Sequence, residues 1–410
     1  MHETGIRAGK NAALCKHLAP IMRHSVLHHQ RGENSMGPFP HDAEPAVIDA
    51  SNPMGTDGFA FVEFAHPEPE KLADLFAKMG FAPVARHKSR AVTLWRQGDV
   101  CYLANDEPAS YAAAFAAEHG PCAVGMGWRM VDPAFARKRA LSLDARPVRE
   151  DRGPLAVDAP AIEGIGGSVI YFVSNEGDDW MADFEPLPGA EKKPEGVGLY
   201  YIDHLTHNVH RGRMDVWAGF YEKLFNFKEI RFFNIEGKLT GLISRAITSP
   251  CGKIRIPINE SVDDKSQIEE YLKDYKGEGI QHIACGCRDI YESVERLKAN
   301  GLPFMPAPPP TYYEKVDARV PGHGEDVERL KKDGILIDGE GAVKVGARGG
   351  TMTRVLLQIF SGTVLGPIFF EFIERKGDEG FGEGNFRALF ESIEEDQIRR
   401  GVLKVPDAAE

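Results

Sequence analysis

The sequence has no run of apolar residues approaching the roughly 18–20 that a helix needs to cross a bilayer. That leaves no candidate membrane span. Cysteine is sparse: six in 410 residues, at 15, 101, 122, 251, 285 and 287, with no CxxC pair. Such spacing supports neither a disulfide framework nor a zinc knuckle. Cys285 and Cys287 fall two apart on an expected strand, both on one face, a geometry that suits neither bond. All six are expected as free thiols, which fits a reducing cytoplasm. A surplus of basic charge is also missing. Lys and Arg number 49 against 61 Asp and Glu, a net charge of −12. This disfavours nucleic acid or an anionic membrane as the main partner. What remains is an ordinary globular composition, 42% hydrophobic and 27% charged, with enough length for two or three domains.

Residues 1–35 differ from the rest, with five of the 14 histidines and five basic residues against two acidic ones. They lack an apolar segment or a developed amphipathic pattern, so a disordered extension is expected, with Met36 resembling a natural start. Beyond it one pattern recurs. Residues 59–65 (FAFVEFA) have strand character, a helix follows to Lys78 with Pro and acids at its start, and strands are expected at 84–87, 91–97 and 100–104. The same β-α-β-β-β order returns at 199–209, 214–224, 230–235, 242–249 and 254–258. A second pair of segments matches as well. Residues 279–288 (GIQHIACGCR) and 121–129 (PCAVGMGWR) each precede a helix, and their shared Gly-x-Arg sets His282 against Ala123. The expected architecture is α+β: four βαβββ modules paired into two barrel-like domains. A Pro-, Gly- and Lys-rich stretch at 178–198 separates a first domain, 36–190, from a second, 195–410. Residues 306–326 include Pro308, Pro309 and Pro310, which exclude helix interior and central strand, and form a loop long enough to suggest a functional role.

Three residues of the second half point to a metal. His204 lies mid-strand in IDHLTHNV, His282 early in the paired strand of the next module, and Glu371 within the apolar run IFFEFI. A buried, unpaired carboxylate in such a run is costly, and a metal removes the cost. Two imidazoles and a carboxylate on one face make the facial triad of non-haem iron(II), with positions left for substrate and O2. A zinc site with four protein ligands lacks that vacancy. Each histidine alone is more often a hydrogen-bonded core residue. His207 and His210 are nearby rivals, with His207 on the opposite strand face from His204. The first half acts as the control, because Ala123 replaces His282 and residues 168–173 (SVIYFV) carry no acid. It is expected to be a metal-free structural copy.

From about Met36 to the C-terminus the chain resembles the 4-hydroxyphenylpyruvate dioxygenase family of the vicinal-oxygen-chelate superfamily. Seven motifs in order carry the resemblance: DHLTHNV at 203–209, PINE at 257–260, KSQI at 265–268, QHIA at 281–284, LLQIF at 356–360, GPIFFE at 366–371 and GFGEGNF at 380–386. It implies one iron(II) per subunit on His204, His282 and Glu371, and conversion of 4-hydroxyphenylpyruvate and O2 to homogentisate and CO2 in tyrosine and phenylalanine catabolism. It places catalytic polar contacts at Ser244, Asn259, Gln281 and Gln358. The remaining substrate contacts fall at Gln267, Phe360, Phe369, Phe381, Asn385 and Phe386. Apolar ring walls with a few neutral donors are what a phenylpyruvate needs. Gly380, Gly382 and Gly384 would hinge a helix over residues 385–400, gating the cup against water. A homodimer or homotetramer is implied. Hydroxymandelate synthase, which oxidises the benzylic carbon with the same triad, is the alternative, and Asn259 within the Pro-Ile-Asn stretch disfavours it. Extradiol dioxygenases lack the GFGEGNF stretch. A non-enzymatic ligand-sequestering protein on the same scaffold needs no triad.

Overall fold

The structure is a computed structural model that describes residues 43–236, 240–345, 350–382, 384–385, 397–398 and 400–403. Two mixed sheets of eight strands each are arranged in chain order. The first contains β1 (Thr56–Ala65), β2 (Ala82–His87), β3 (Val92–Gln97), β4 (Val100–Asn105), β5 (Cys122–Met130), β6 (Ala161–Glu163), β7 (Val169–Ser174) and β8 (Phe184–Pro186). The second contains β9 (Leu199–Val209), β10 (Lys228–Glu236), β11 (Gly241–Thr248), β12 (Arg255–Ser261), β13 (Gly279–Cys287), β14 (Leu336–Val345), β15 (Gly350–Phe360) and β16 (Phe369–Lys376). Their orders are β6-β7-β5-β1-β4-β3-β2-β8 and β10-β11-β12-β9-β13-β16-β15-β14.

The modules pair in the same way in both halves. β1 runs antiparallel to β5 and parallel to β4, and β9 runs antiparallel to β13 and parallel to β12. One difference lies in the second module, whose last strand, β8, pairs with β2 at the far edge of the sheet.

Local sequence sets the helix ends. α1 (Pro69–Lys78) has Pro in its first turn and Glu70 beside the positive end of its dipole. α2 (Tyr111–His119) begins at Ser110, whose side chain accepts from the Ala113 N–H. α3 (Pro133–Ser142) and α4 (Met214–Phe225) fill the positions expected of them, α4 ending on Asn226 in the left-handed region at φ 59°. α5 (Gln267–Tyr275) starts at the Ser266 cap, and α6 (Ile290–Ala299) at the Asp289 cap.

The proline-rich loop contains two single-turn helices, α7 (Pro310–Tyr313) and α8 (Val316–Arg319), before α9 (Val327–Asp333). Pro310 opens α7, where a missing N–H is harmless.

A continuous buried apolar cluster runs through both halves. Trp128 packs edge-on against Phe225 at 4.8 Å, and the Tyr102 hydroxyl lies 3.1 Å from Cys285 Sγ. Cys101, Cys122, Cys251, Cys285 and Cys287 are free thiols. No described helix is long and apolar enough to cross a membrane.

Candidate metal centre

Strand register brings the three ligand candidates to one face. Ala284 of β13 pairs with His204 of β9 on one side and with Glu371 of β16 on the other. His282, two residues from Ala284, pairs with Thr206 and Phe369. Alternation along a strand then puts His204, His282 and Glu371 on the same surface of the sheet. All three are buried. Their ligand atoms lie within 4.8 Å of one another. Glu371 Oε2 is 3.1 Å from His204 Nε2 and 3.4 Å from His282 Nε2. Metal–ligand bonds of roughly 2.0–2.2 Å at right angles would set such atoms about 3 Å apart.

The surroundings orient each ligand. His204 Nδ1 lies 2.8 Å from Asp203 Oδ1, and His282 Nδ1 lies 3.0 Å from Gln281 Oε1. Both contacts fix the ring so that Nε2 is the free ligand atom, as metal-binding histidines require. Gln358 Nε2 donates to Glu371 Oε1 at 2.7 Å, leaving Oε2 for the centre. The Thr206 hydroxyl lies 2.9 Å from His282 Nε2 and would turn aside if a cation occupied that nitrogen.

Burial tends to raise the Glu371 carboxyl, but His204 and His282 outweigh it and hold it at about 2. Burial pulls both imidazoles down. In His204 the Glu371 and Asp203 carboxylates prevail and raise it, whereas in His282 burial prevails. His207, on the other face, is driven to about 3 by burial, and its Nε2 lies 2.8 Å from the Tyr221 hydroxyl. It is a core histidine.

A small cavity of about 20 Å³ opens on the triad and is lined by Thr206, Phe233, Ser244, Pro257, Gln358, Phe360 and Phe381 as well as the ligands. Ser244, Gln358, Phe360 and Phe381 are thus brought to the centre. Asn385 reaches it indirectly, donating to Gln358 Oε1 at 2.9 Å. The Asn259 amide donates toward Gln281 Oε1 at 3.4 Å. Gln267, Gln281 and Phe369 instead line a larger neighbouring cavity, with Phe369 stacked on the His282 ring at 4.6 Å between centroids. Phe386 and most of the expected helix over residues 385–400 lie outside the described residues.

Sequence reasoning missed Asp203, Arg375, Thr206 and Tyr312. Arg375 grips Asp203 through two nitrogens, at 2.7 and 2.8 Å. The only available signal was position: an Asp directly before a candidate histidine ligand, and an Arg four residues after the candidate Glu.

Residues 50–186 match the family model described as hydroxyphenylpyruvate dioxygenase, N-terminal, and residues 201–337 match the glyoxalase, bleomycin resistance protein and dioxygenase superfamily. A 4-hydroxyphenylpyruvate dioxygenase from Pseudomonas aeruginosa is 54% identical over 363 residues, covering 87% of this chain and 99% of the relative. The chain belongs to the 4-hydroxyphenylpyruvate dioxygenase family. A second relative, from Vibrio vulnificus and named hemolysin VllY, is 56% identical over 364 residues, covering 87% of this chain and 99% of that protein. A solved fusion of a xylose isomerase-like TIM barrel with 4-hydroxyphenylpyruvate dioxygenase superposes with a TM-score of 0.70 at 32% identity. The match covers 86% of this chain and 55% of the fusion. Family membership and the His-His-Glu cluster together make this a metal-dependent dioxygenase.

Proposed function

We propose that this protein binds iron(II) through His204, His282 and Glu371 and converts 4-hydroxyphenylpyruvate and O2 to homogentisate and CO2. The observation that carries the reading is the convergence of two oriented imidazoles and one carboxylate on a buried cavity. The reaction balances: substrate carbon 1 leaves as CO2, one oxygen atom enters the new carboxylate and the other enters the ring.

Iron(II) held there would offer positions for a 2-oxo acid and for O2 and would pass electrons from the substrate to O2. The residues of the chain bind and orient. Phe360 and Phe381 give apolar walls that suit the phenyl ring, and Ser244 and Gln358 place neutral polar groups beside it. Ser244 Oγ is buried and has no hydrogen-bond partner among the described residues, so it is available to a substrate oxygen. Gln281 and Asn259 act through His282. Gln267, Phe369, Asn385 and Phe386 complete the substrate contacts, and residues 385–400 act as the gate. The first half, whose matching positions hold Glu63, Ala123 and Val169, is a structural copy that buttresses residues 195–410. The free thiols suit a cytoplasmic enzyme, assembled as a homodimer or homotetramer.

Oxygen uptake with product identification tests the reading. One homogentisate per O2 is expected, with a visible absorption band when iron(II) and substrate are combined anaerobically. Hydroxymandelate as the product would assign the protein to the benzylic reaction. No uptake and no band would favour a ligand-sequestering protein.

A further inference from the structure

Two buried arginines meet where the chain leaves β16 for the C-terminal segment. Arg375 holds Asp203 with Nε and Nη2, and its Nη1 donates to the carbonyls of Gly380 and, at 3.4 Å, Asp378. Arg255 of β12 donates Nη1 to the intervening carbonyl, that of Glu379, at 3.4 Å. Both guanidinium carbons lie 5.8 Å from the centroid of the Phe381 ring. That ring meets His204 edge-on at 5.4 Å and lines the cavity over the triad. Three successive backbone carbonyls and the following aromatic side chain are therefore held by two cations inside the protein. Arg375 also hydrogen-bonds Asp203, the residue that orients His204.

We propose that Arg375 is a positioning residue shared between the metal centre and the 378–381 segment. Its guanidinium orients His204 through Asp203 and at the same time seats Phe381 in the cavity, whereas Arg255 donates to the Glu379 carbonyl of the segment. The inference rests on reading His204, His282 and Glu371 as the iron site. The physical basis is the fork geometry of arginine, which satisfies a carboxylate bidentately and keeps a further N–H for a carbonyl. Lysine cannot do both. A shift of the segment and a rotation of His204 then cost the same set of hydrogen bonds, so each state of one site favours a state of the other.

The full-length chain and its R375K, D203N and R255K variants decide the matter. Three quantities are read: anaerobic iron(II) affinity by titration without substrate, the KM and kcat for 4-hydroxyphenylpyruvate, and O2 consumed per product. R375K and D203N are expected to weaken metal binding about 10–100-fold, the range typical for loss of a ligand-orienting partner. Both are also expected to raise KM several-fold, with O2 consumed in excess of product. R255K is expected to raise KM and the O2-to-product ratio while binding metal as the parent does. Unchanged metal affinity in folded R375K would overturn the proposal, as would equal weakening of metal binding by R255K. If R375K does not fold, D203N decides: weaker metal binding with unaltered KM and O2-to-product ratio would also overturn it. A parent chain that binds no iron(II) would instead overturn the iron reading itself.

Discussion

Glu63 occupies in the first sheet the place that His204 occupies in the second. Glu63 pairs with Gly125, which pairs with Val169; His204 pairs with Ala284, which pairs with Glu371. The repeat therefore carries a carboxylate where the metal centre has an imidazole, and a valine where the centre has its carboxylate. Tyr171 fills the space: its hydroxyl donates to Glu63 Oε2 at 2.6 Å, and its ring lies where a side chain at Gly125 would project. Asn105 donates to the other oxygen at 2.7 Å.

Glu63 makes the stability of the protein depend on pH. Burial raises its carboxyl to about 7 from the usual 4.5, despite the hydrogen bonds from Tyr171 and Asn105. Between those values the folded chain holds a proton that the unfolded chain has released, so stability falls as pH rises from about 4.5 to 7 and stays lower above. The cost at pH 8 is on the order of 3 kcal/mol. Glu63→Gln mimics the protonated carboxyl, so it is expected to remove this slope and to stabilise the protein at pH 8 while changing little at pH 4.5. Denaturant unfolding at several pH values checks it. An identical pH dependence in both proteins would refute the assignment.

Glu63 also shows where sequence reasoning needs a second signal. An acid inside an apolar run singled out Glu371, yet FVEFA around Glu63 has the same character as FFEFI around Glu371. The difference lies in the residues across the sheet, Val169 in one case and His204 with His282 in the other, and register across strands is invisible to local composition. Module order and the faces of His204 and His207 were legible because periods of two and 3.6 residues are local. Asp203, Arg375 and Tyr312 were not, since their roles depend on partners up to 172 residues away.

Glu371→Gln is expected to abolish metal-dependent stabilisation. In the parent, adding metal to 100 times its dissociation constant stabilises the folded state by about 2.7 kcal/mol, and a chelator reverses this. The amide keeps the side chain's size but removes the charge that His204 and His282 face at 3.1 and 3.4 Å. Thermal unfolding with and without metal should therefore coincide in the variant. A metal-induced shift equal to that of the parent would remove Glu371 from the ligand set.

Gln358 distinguishes support of the metal from contact with substrate. Its Nε2 donates to Glu371 Oε1, and its Oε1 accepts from Asn385. Gln358→Leu frees the carboxylate to turn and leaves the Asn385 amide without that acceptor. The expected result is metal binding about 10–100-fold weaker in the absence of substrate. If calorimetric titration finds parental metal affinity and only KM rises, Gln358 serves the substrate alone.

Tyr312 ties the proline-rich loop to the centre, and its hydroxyl performs two tasks. It accepts from the Ile337 N–H at 2.8 Å, and it lies 2.8 Å from Asn385 Oδ1, with the Ile337 carbonyl at 3.0 Å. One hydroxyl proton serves these two acceptors, so Asn385 is held by a bond that a phenyl ring cannot supply. Tyr312→Phe leaves the Ile337 N–H, at the buried start of β14, without that acceptor, at a cost of about 1–3 kcal/mol in unfolding free energy. It also releases the Tyr312–Asn385–Gln358–Glu371 chain at its outer end, so KM should rise while the metal, still held by three unaltered ligands, binds nearly as before. Parallel measurement of denaturant midpoint, KM and metal affinity checks both effects. Lost stability with unchanged KM would make Tyr312 a purely structural residue, because the chain to Asn385 would then carry nothing to the site.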